Sequence, residues 1–237
     1  MGLFSNLFGK ASTSKEKNHS DSPTVLPNGV TLKNDTERKM YETNKEYREL
    51  KDRTAKTQAS LKYQDDLLKI ACDAREKYKN DGDIESAIAS YEKVMIEADP
   101  PLKNAQSHAI FLAELYIKNG QNDKAWGYLG LLQTKQLCPL DKIRGEQAKI
   151  LKKEKKHKDA IEMILLQHWD RFYETEFNYY DHNACMKDIA PSIKALKWSP
   201  EDQEKCVSFV DFAVSLKQKA DETTITNLYR KFVDEKN

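Results

Sequence analysis

Chain breakers are scarce in this sequence, with 8 glycines and 7 prolines among 237 residues, and so few interruptions favour helix. The residues that lose little rotamer freedom in a helix (Lys, Glu, Leu and Ala) are abundant instead. Cysteine is rarer still. Cys72, Cys138, Cys185 and Cys206 are scattered without a Cys-x-x-Cys pair, which is neither a zinc-ribbon spacing nor a disulfide framework. Reduced, mostly buried thiols are expected. No charge dominates: a net charge of +1 with 32% charged residues excludes both a polycation built for nucleic acid and an acidic disordered chain. There is no run of about 18 apolar residues, so no membrane span is predicted. The opening MGLFSNLFGK lacks the early basic residue and continuous apolar stretch of a secretory signal. Together these absences predict a cytoplasmic protein.

Catalytic signatures are missing as well. There is no phosphate loop, Gly-x-Ser-x-Gly elbow, His-Glu-x-x-His pair or dinucleotide fingerprint, and Gly127 and Gly130 fall inside a helical pattern. His182-x-x-Cys185, with Asp181, is the best metal-ligand spacing, but a lone pair without convergent partners reads as packing and surface residues. Lys149, Lys152, Lys153, Lys155, Lys156 and Lys158 form the sharpest basic run. Glu154 and Asp159 dilute it, and no aromatic residues interleave for base stacking. It reads as a solvated helix end and turn, where the helix dipole favours lysine. The expectation is therefore no catalysis, no cofactor, no bound metal, no small-molecule substrate and no nucleic-acid partner.

What is present begins with an apolar tip. Leu3, Phe4, Leu7 and Phe8 would share one face of a short helix, with Ser5, Asn6 and Lys10 on the other. Such a tip suits weak membrane-surface contact or docking into a groove. From Gly9 to Asn34 the composition turns to Ser, Thr, Lys, Asn and Asp, too polar to offset its ordering entropy, so residues 1–34 read as a tip and disordered linker. Val25 to Val30 contains an Asn-Gly turn signal, but an isolated hairpin is marginal. Residues 35–64 predict a long charged helix, or two helices with a break near Ser60. Their heptads are not sustained by apolar residues, which favours a solvated helix over a coiled coil.

Self-similarity then appears. Tyr78, Gly82, Ala87 and Tyr91 recur at the same offsets as Tyr116, Gly120, Ala125 and Leu129, and again as Leu151, Lys155, Ala160 and Ile164. Gly82 and Gly120 stand where a first helix must end in left-handed backbone. Ala87, Ala125 and Ala160 lie one turn into the second helix, where a small side chain permits close packing. Tyr91, Leu129 and Ile164 follow one turn later on the same face, as core. The alanines repeat at intervals of 38 and 35 residues.

Over roughly Asp66 to Phe172, the chain resembles the tetratricopeptide repeat family, whose unit is about 34 residues long. Leu112, Ala113, Tyr116, Ala125 and Leu129 occupy its signature places; Ala74, Tyr78, Ala87 and Tyr91 do so in the unit before, although Arg75 stands where a small residue is usual. The resemblance implies a concave groove carrying Lys69, Cys72 and Glu76, then Ser107, Ile110, Glu114 and Ile117, then Lys142, Lys149 and Lys152. That surface would be apolar in its middle and basic at one end, suited to a peptide with an acidic portion. Family members that hold the C-terminal carboxylate of heat-shock chaperones use lysine, asparagine and arginine at five fixed places. Cys72, Glu76, Phe111 and Glu146 stand at four of them and only Lys142 matches, so no such clamp is expected.

After Glu174 a helix is expected over Asn178–Ile189, stopped by Pro191. Another should start at Ser199-Pro200, with Ser as cap and Pro in the first turn, and a last one from Asp221. The sequence thus predicts an all-α protein of stacked, tetratricopeptide-like helical hairpins over 65–174. Capping helices over 175–237 follow, and the function expected is that of a protein-binding scaffold.

Overall fold

A helix end leaves its last carbonyl groups without partners, and a residue in left-handed backbone lets the following amides turn back to them. Turns of this kind link a long succession of helices here. The computed structural model describes residues 23–103, 105–174, 180–216 and 220–236. They form an all-α fold, with ten α-helices among the described residues. The apolar tip of residues 3–8 lies outside them. The chain divides into two units, residues 1–65 and 66–237.

In the first unit, β1 (Thr24–Val25) and β2 (Thr31–Leu32) pair antiparallel where the sequence suggested linker. Gly29 supplies positive φ in the turn, and the Leu26 amide donates to the Val30 carbonyl at 2.8 Å. Two strands of two residues would not persist alone. Val30 and Leu32 are buried with Ala55, and Leu26 and Tyr41 pack against them. Polar bonds add to this: the Asn28 amide donates to the Tyr41 hydroxyl and to Asp52, each at 3.0 Å, and Tyr41 donates to Asp52 at 2.7 Å. The hairpin is thus held by α1 (Asp35–Thr43) and α2 (Lys45–Asp81). The helix break falls at Asn44, whose side chain accepts from the Tyr47 amide at 3.1 Å. No break occurs at Ser60.

The second unit holds the end of α2 and then α3 (Ile84–Glu92), which continues as a π-turn over Lys93–Glu97. α4 (Gln106–Lys118), α5 (Asn122–Thr134), α6 (Leu140–Lys153) and α7 (His157–Glu174) follow. α8 (His182–Leu196), α9 (Pro200–Leu216) and α10 (Glu222–Glu235) complete it. Gly82 and Gly120 take positive φ as expected, and Lys155, with no glycine, takes the same conformation at φ 60°. The ends of α4 and α6 match bond for bond. The Gln121 amide reaches the Tyr116 carbonyl at 2.8 Å, and the Lys156 amide reaches Leu151 at 2.9 Å. Ala87, Ala125 and Ala160 are buried, as are Tyr91, Leu129 and Ile164.

Two apolar clusters result. One gathers α3, α4 and α5 with Leu67 and Ala71 of α2 and with Ile143 and Ile150 of α6. The other gathers α7, α8, α9 and α10 with Ala148 of α6. α7 packs against α6, α8, α9 and α10, so the last helices fold around it as well as following it. Arg144 of α6 is buried there, its Nε donating to Asp170 of α7 at 2.9 Å and its Nη2 to Glu222 of α10. A buried cation needs such partners to offset its desolvation. Pro191 does not stop α8, which runs through it to Leu196; the proline lies exposed while Ile189, Ser192 and Ile193 are buried. Ser199 caps α9, accepting from the Asp202 amide at 3.2 Å, and Asp221 caps α10.

Left-handed backbone costs a side-chain-bearing residue roughly 1–2 kcal/mol, of which the greater freedom of unfolded glycine returns about half. Lys155→Gly should therefore stabilise the fold by about 0.5–1 kcal/mol, and Gly120→Ala should destabilise it by a similar amount. Urea denaturation checks both, and a lower midpoint for Lys155→Gly would refute the account of this turn.

Candidate interaction groove

The structure brings together some of the residues that the repeat register assigns to a groove. Ser107, Ile110 and Glu114 of α4 meet Lys142 of α6 around a cleft of about 310 Å³, completed by Arg75, Gln106, Phe111, Cys138 and Pro139. The positions on α4 recur every three to four residues and so share one face of that helix. α4 packs directly against α6, which brings Lys142 alongside. Lys69, Cys72 and Glu76 are exposed on α2, but none of them lines the cleft.

Three expected groove residues have other tasks. Ile117 is only 4% exposed and belongs to the first apolar cluster, because α4 turns it inward one turn beyond Glu114. Lys149 binds Glu146 at 2.5 Å and lies 3.9 Å from Glu114. Lys152 is half-buried, and its Nζ donates to the Asp188 carbonyl at 3.2 Å. Burial holds its ammonium below the usual lysine range, although Asp188 opposes that shift. Neighbouring Lys153 donates to the Ile117 carbonyl. Much of the basic run is therefore engaged within the fold, and the basic end of the groove is narrower than the sequence suggested.

Beside the cleft, the Tyr91 hydroxyl and His108 Nδ1 lie 2.8 Å apart with their rings stacked. Burial first, and then the Arg75 charge, hold the His108 imidazole below its usual value, which keeps it neutral near pH 7. Cys72 Sγ lies 4.0 Å from its other ring nitrogen. Elsewhere His168 and His182 serve contacts between helices. His168 is buried against Asp188 at 2.9 Å, and His182 binds Asp211 at 3.0 Å. Of the residues with metal-ligand spacing, Asp181 caps α8 and Cys185 is fully buried, so they do not converge with His182 on a site.

The sequence did not point to Arg75, Gln106, Cys138 or Pro139 as lining this cleft, whereas Phe111 stood at one of the five carboxylate-clamp places. Arg75 had left a trace, since it departs from the small residue usual at its place. Gln106, Cys138 and Pro139 carried no signal, because a helix contact and a groove wall look alike in a periodic pattern. No protein-family model, curated protein or solved structure matches the chain. The groove's own geometry therefore carries any functional assignment.

Glu146 lies at the groove's edge on α6, 5% exposed, with one carboxylate oxygen bonded to Lys149 and the other buried without a hydrogen-bond donor among the described residues. Burial raises its pKa above the ordinary 4.5, against the opposing effect of Lys149. Between 4.5 and that raised value the folded chain binds more protons than the unfolded one, so this group's contribution to stability falls as pH rises through the interval. Glu146→Gln removes the charge and keeps the shape. Its melting temperature should exceed the parent's at pH 7, and the difference should shrink towards pH 4.5. A variant less stable than the parent at pH 7 would show that the Lys149 pair outweighs the burial cost.

Proposed function

We propose that this chain is a cytoplasmic protein-interaction scaffold, built from tetratricopeptide-like helix pairs, that receives a partner protein or peptide along α4 and α6. Three similarly spaced helix turns support the helix-pair assignment, each followed by a buried alanine. The observation that carries the function is the cleft itself. Ile110, Glu114 and Lys142, assigned by register to two different helix pairs, line one opening that combines apolar side chains with charged ones. That mixture suits a peptide anchored by an apolar side chain and oriented by polar rim contacts. An extended or helical peptide with an acidic portion fits best, and the scaffold needs no turnover, cofactor or metal.

A photo-crosslinking residue placed at exposed Ser107 of the full-length chain in native cell extract tests this. A discrete adduct is expected from position 107 and none of the same mass from exposed Asp123 on α5. Adducts of one mass from both positions, or from neither, would refute the groove assignment.

A second role is supported by the spacing of Leu3, Phe4, Leu7 and Phe8. Burying each such side chain contributes roughly 1.5–3 kcal/mol, enough together for weak, reversible attachment to a membrane surface. Full-length chain should co-sediment with liposomes more than a chain starting at Ala11. Equal partition of the two would remove the tip from consideration.

A further inference from the structure

Six of the seven arginines in the chain have evident partners. Arg38, Arg144, Arg171 and Arg230 form ion pairs with carboxylates. Arg48 and Arg53 donate to backbone carbonyls of their own helix or its neighbour. Arg75 differs. Among the described residues no hydrogen bond or ion pair engages it, and its Nε is buried with no acceptor. Its guanidinium carbon sits 4.6 Å from the centroid of the Phe111 ring, and it lines the groove cleft. A buried donor without an acceptor is destabilising, so an arginine kept in this condition calls for an explanation.

Its surroundings indicate what would satisfy it. The Phe111 ring against the guanidinium restrains it, and its planar fork suits a bidentate acceptor. Gln106 and Ser107 add an amide and a hydroxyl to the same cleft, and Ile110 and Phe111 an apolar floor. The one carboxylate lining the cleft, Glu114, lies 3.9 Å from Lys149. His108, beside Arg75, is neutral near pH 7 and adds no competing charge. A volume of about 310 Å³ is at the small end for ligand sites, which run to about 1,000 Å³, and holds a couple of side chains.

We infer that Arg75 is the anchor for the carboxylate of a partner's aspartate or glutamate side chain, with an adjacent apolar side chain of that peptide seated on Ile110 and Phe111. This rests on the groove being the partner site, and it names the chemistry the partner must bring. The occupant is an internal acidic residue of a peptide. It forms two parallel N–H···O bonds with the Nη1 and Nη2 groups, which are not buried as Nε is, and leaves the contact with Phe111 in place.

The test uses the full-length, ¹⁵N-labelled chain and three short probes: acetyl-Leu-Glu-Leu-amide, acetyl-Leu-Gln-Leu-amide, and acetyl-Leu-Gln-Leu with a free C-terminus. The glutamate peptide should shift the Arg75 Nε–H and Ser107 amide resonances at millimolar concentration. The glutamine amide should bind roughly tenfold more weakly or worse, as expected for loss of a charge-assisted pair. Arg75→Gln should abolish the difference between the two while leaving the remaining amide spectrum folded. Arg75→Lys, which keeps the charge but loses the fork, should retain only part of it. Equal binding of the first two probes, or a difference that survives Arg75→Gln, overturns the anchor. Preference for the free C-terminus over the glutamate side chain overturns it too, in favour of a terminal carboxylate. The cross-link from position 107 separates the two levels. If it persists in Arg75→Gln while the probes fail to discriminate, the groove stands and the anchor falls. If the parent gives no cross-link, the groove assignment falls, and the probes still decide the anchor.

Discussion

The second unit depends on one recurring requirement: each helix must end with its last carbonyls satisfied before the next can pack beside it. α4, α5, α6 and α8 all meet it in the same way. A left-handed residue turns its own amide back to the carbonyl three residues earlier, and the following amide to the carbonyl five residues before that amide. The left-handed residues are Gly120, Gln136, Lys155 and Lys197, so three of the four accept a conformation that glycine alone adopts freely. Packing of the flanking helices over-determines those turns. Without the turn after α4 and the one after α5, α6 would not return alongside α4, and Lys142 would not face Ile110.

Much of this was legible in the sequence, because backbone requirements leave residue signatures. Glycines at 82 and 120, alanines at 87, 125 and 160 and the caps at Ser199 and Asp221 each answer a local need, and each lies where the pattern placed it. What escaped was set at longer range. The hairpin before α1 exists because Val30 and Leu32 find Ala55 and because Asn28 finds Tyr41 and Asp52, and composition alone does not reveal such meetings. Pro191 read as a stop since it removes a hydrogen bond from a helix interior, yet on the exposed side of α8 the burial of Ile189 and Ile193 carries the helix through.

The groove shows the same division. Ile110, Glu114 and Lys142 line one cleft, because helical periodicity decides which side chains share a face. Ile117, Lys149 and Lys152 do not line it, because a face does not say which of its residues the neighbouring helices will claim. Lysines 149, 152 and 153 are each taken up by a carboxylate or a backbone carbonyl. The run lies mostly at the surface, as a helix end and turn should, yet three of its cations also hold groups of the fold. Arg75 shows the converse: one charge, standing where a small residue is usual, whose Nε the fold leaves without an acceptor.

α6 contributes to both apolar clusters, giving Ile143 and Ile150 to one and Ala148 to the other. A helix with side chains in two cores cannot melt out of one and remain fully packed in the other. The two clusters are thereby coupled in their opening, and the amides in the middle of α6 are expected to exchange among the slowest of both. Lys142 stands in the first turn of α6, just before the first of those anchors at Ile143. A contact there acts on the end of a helix whose middle is fastened on both sides.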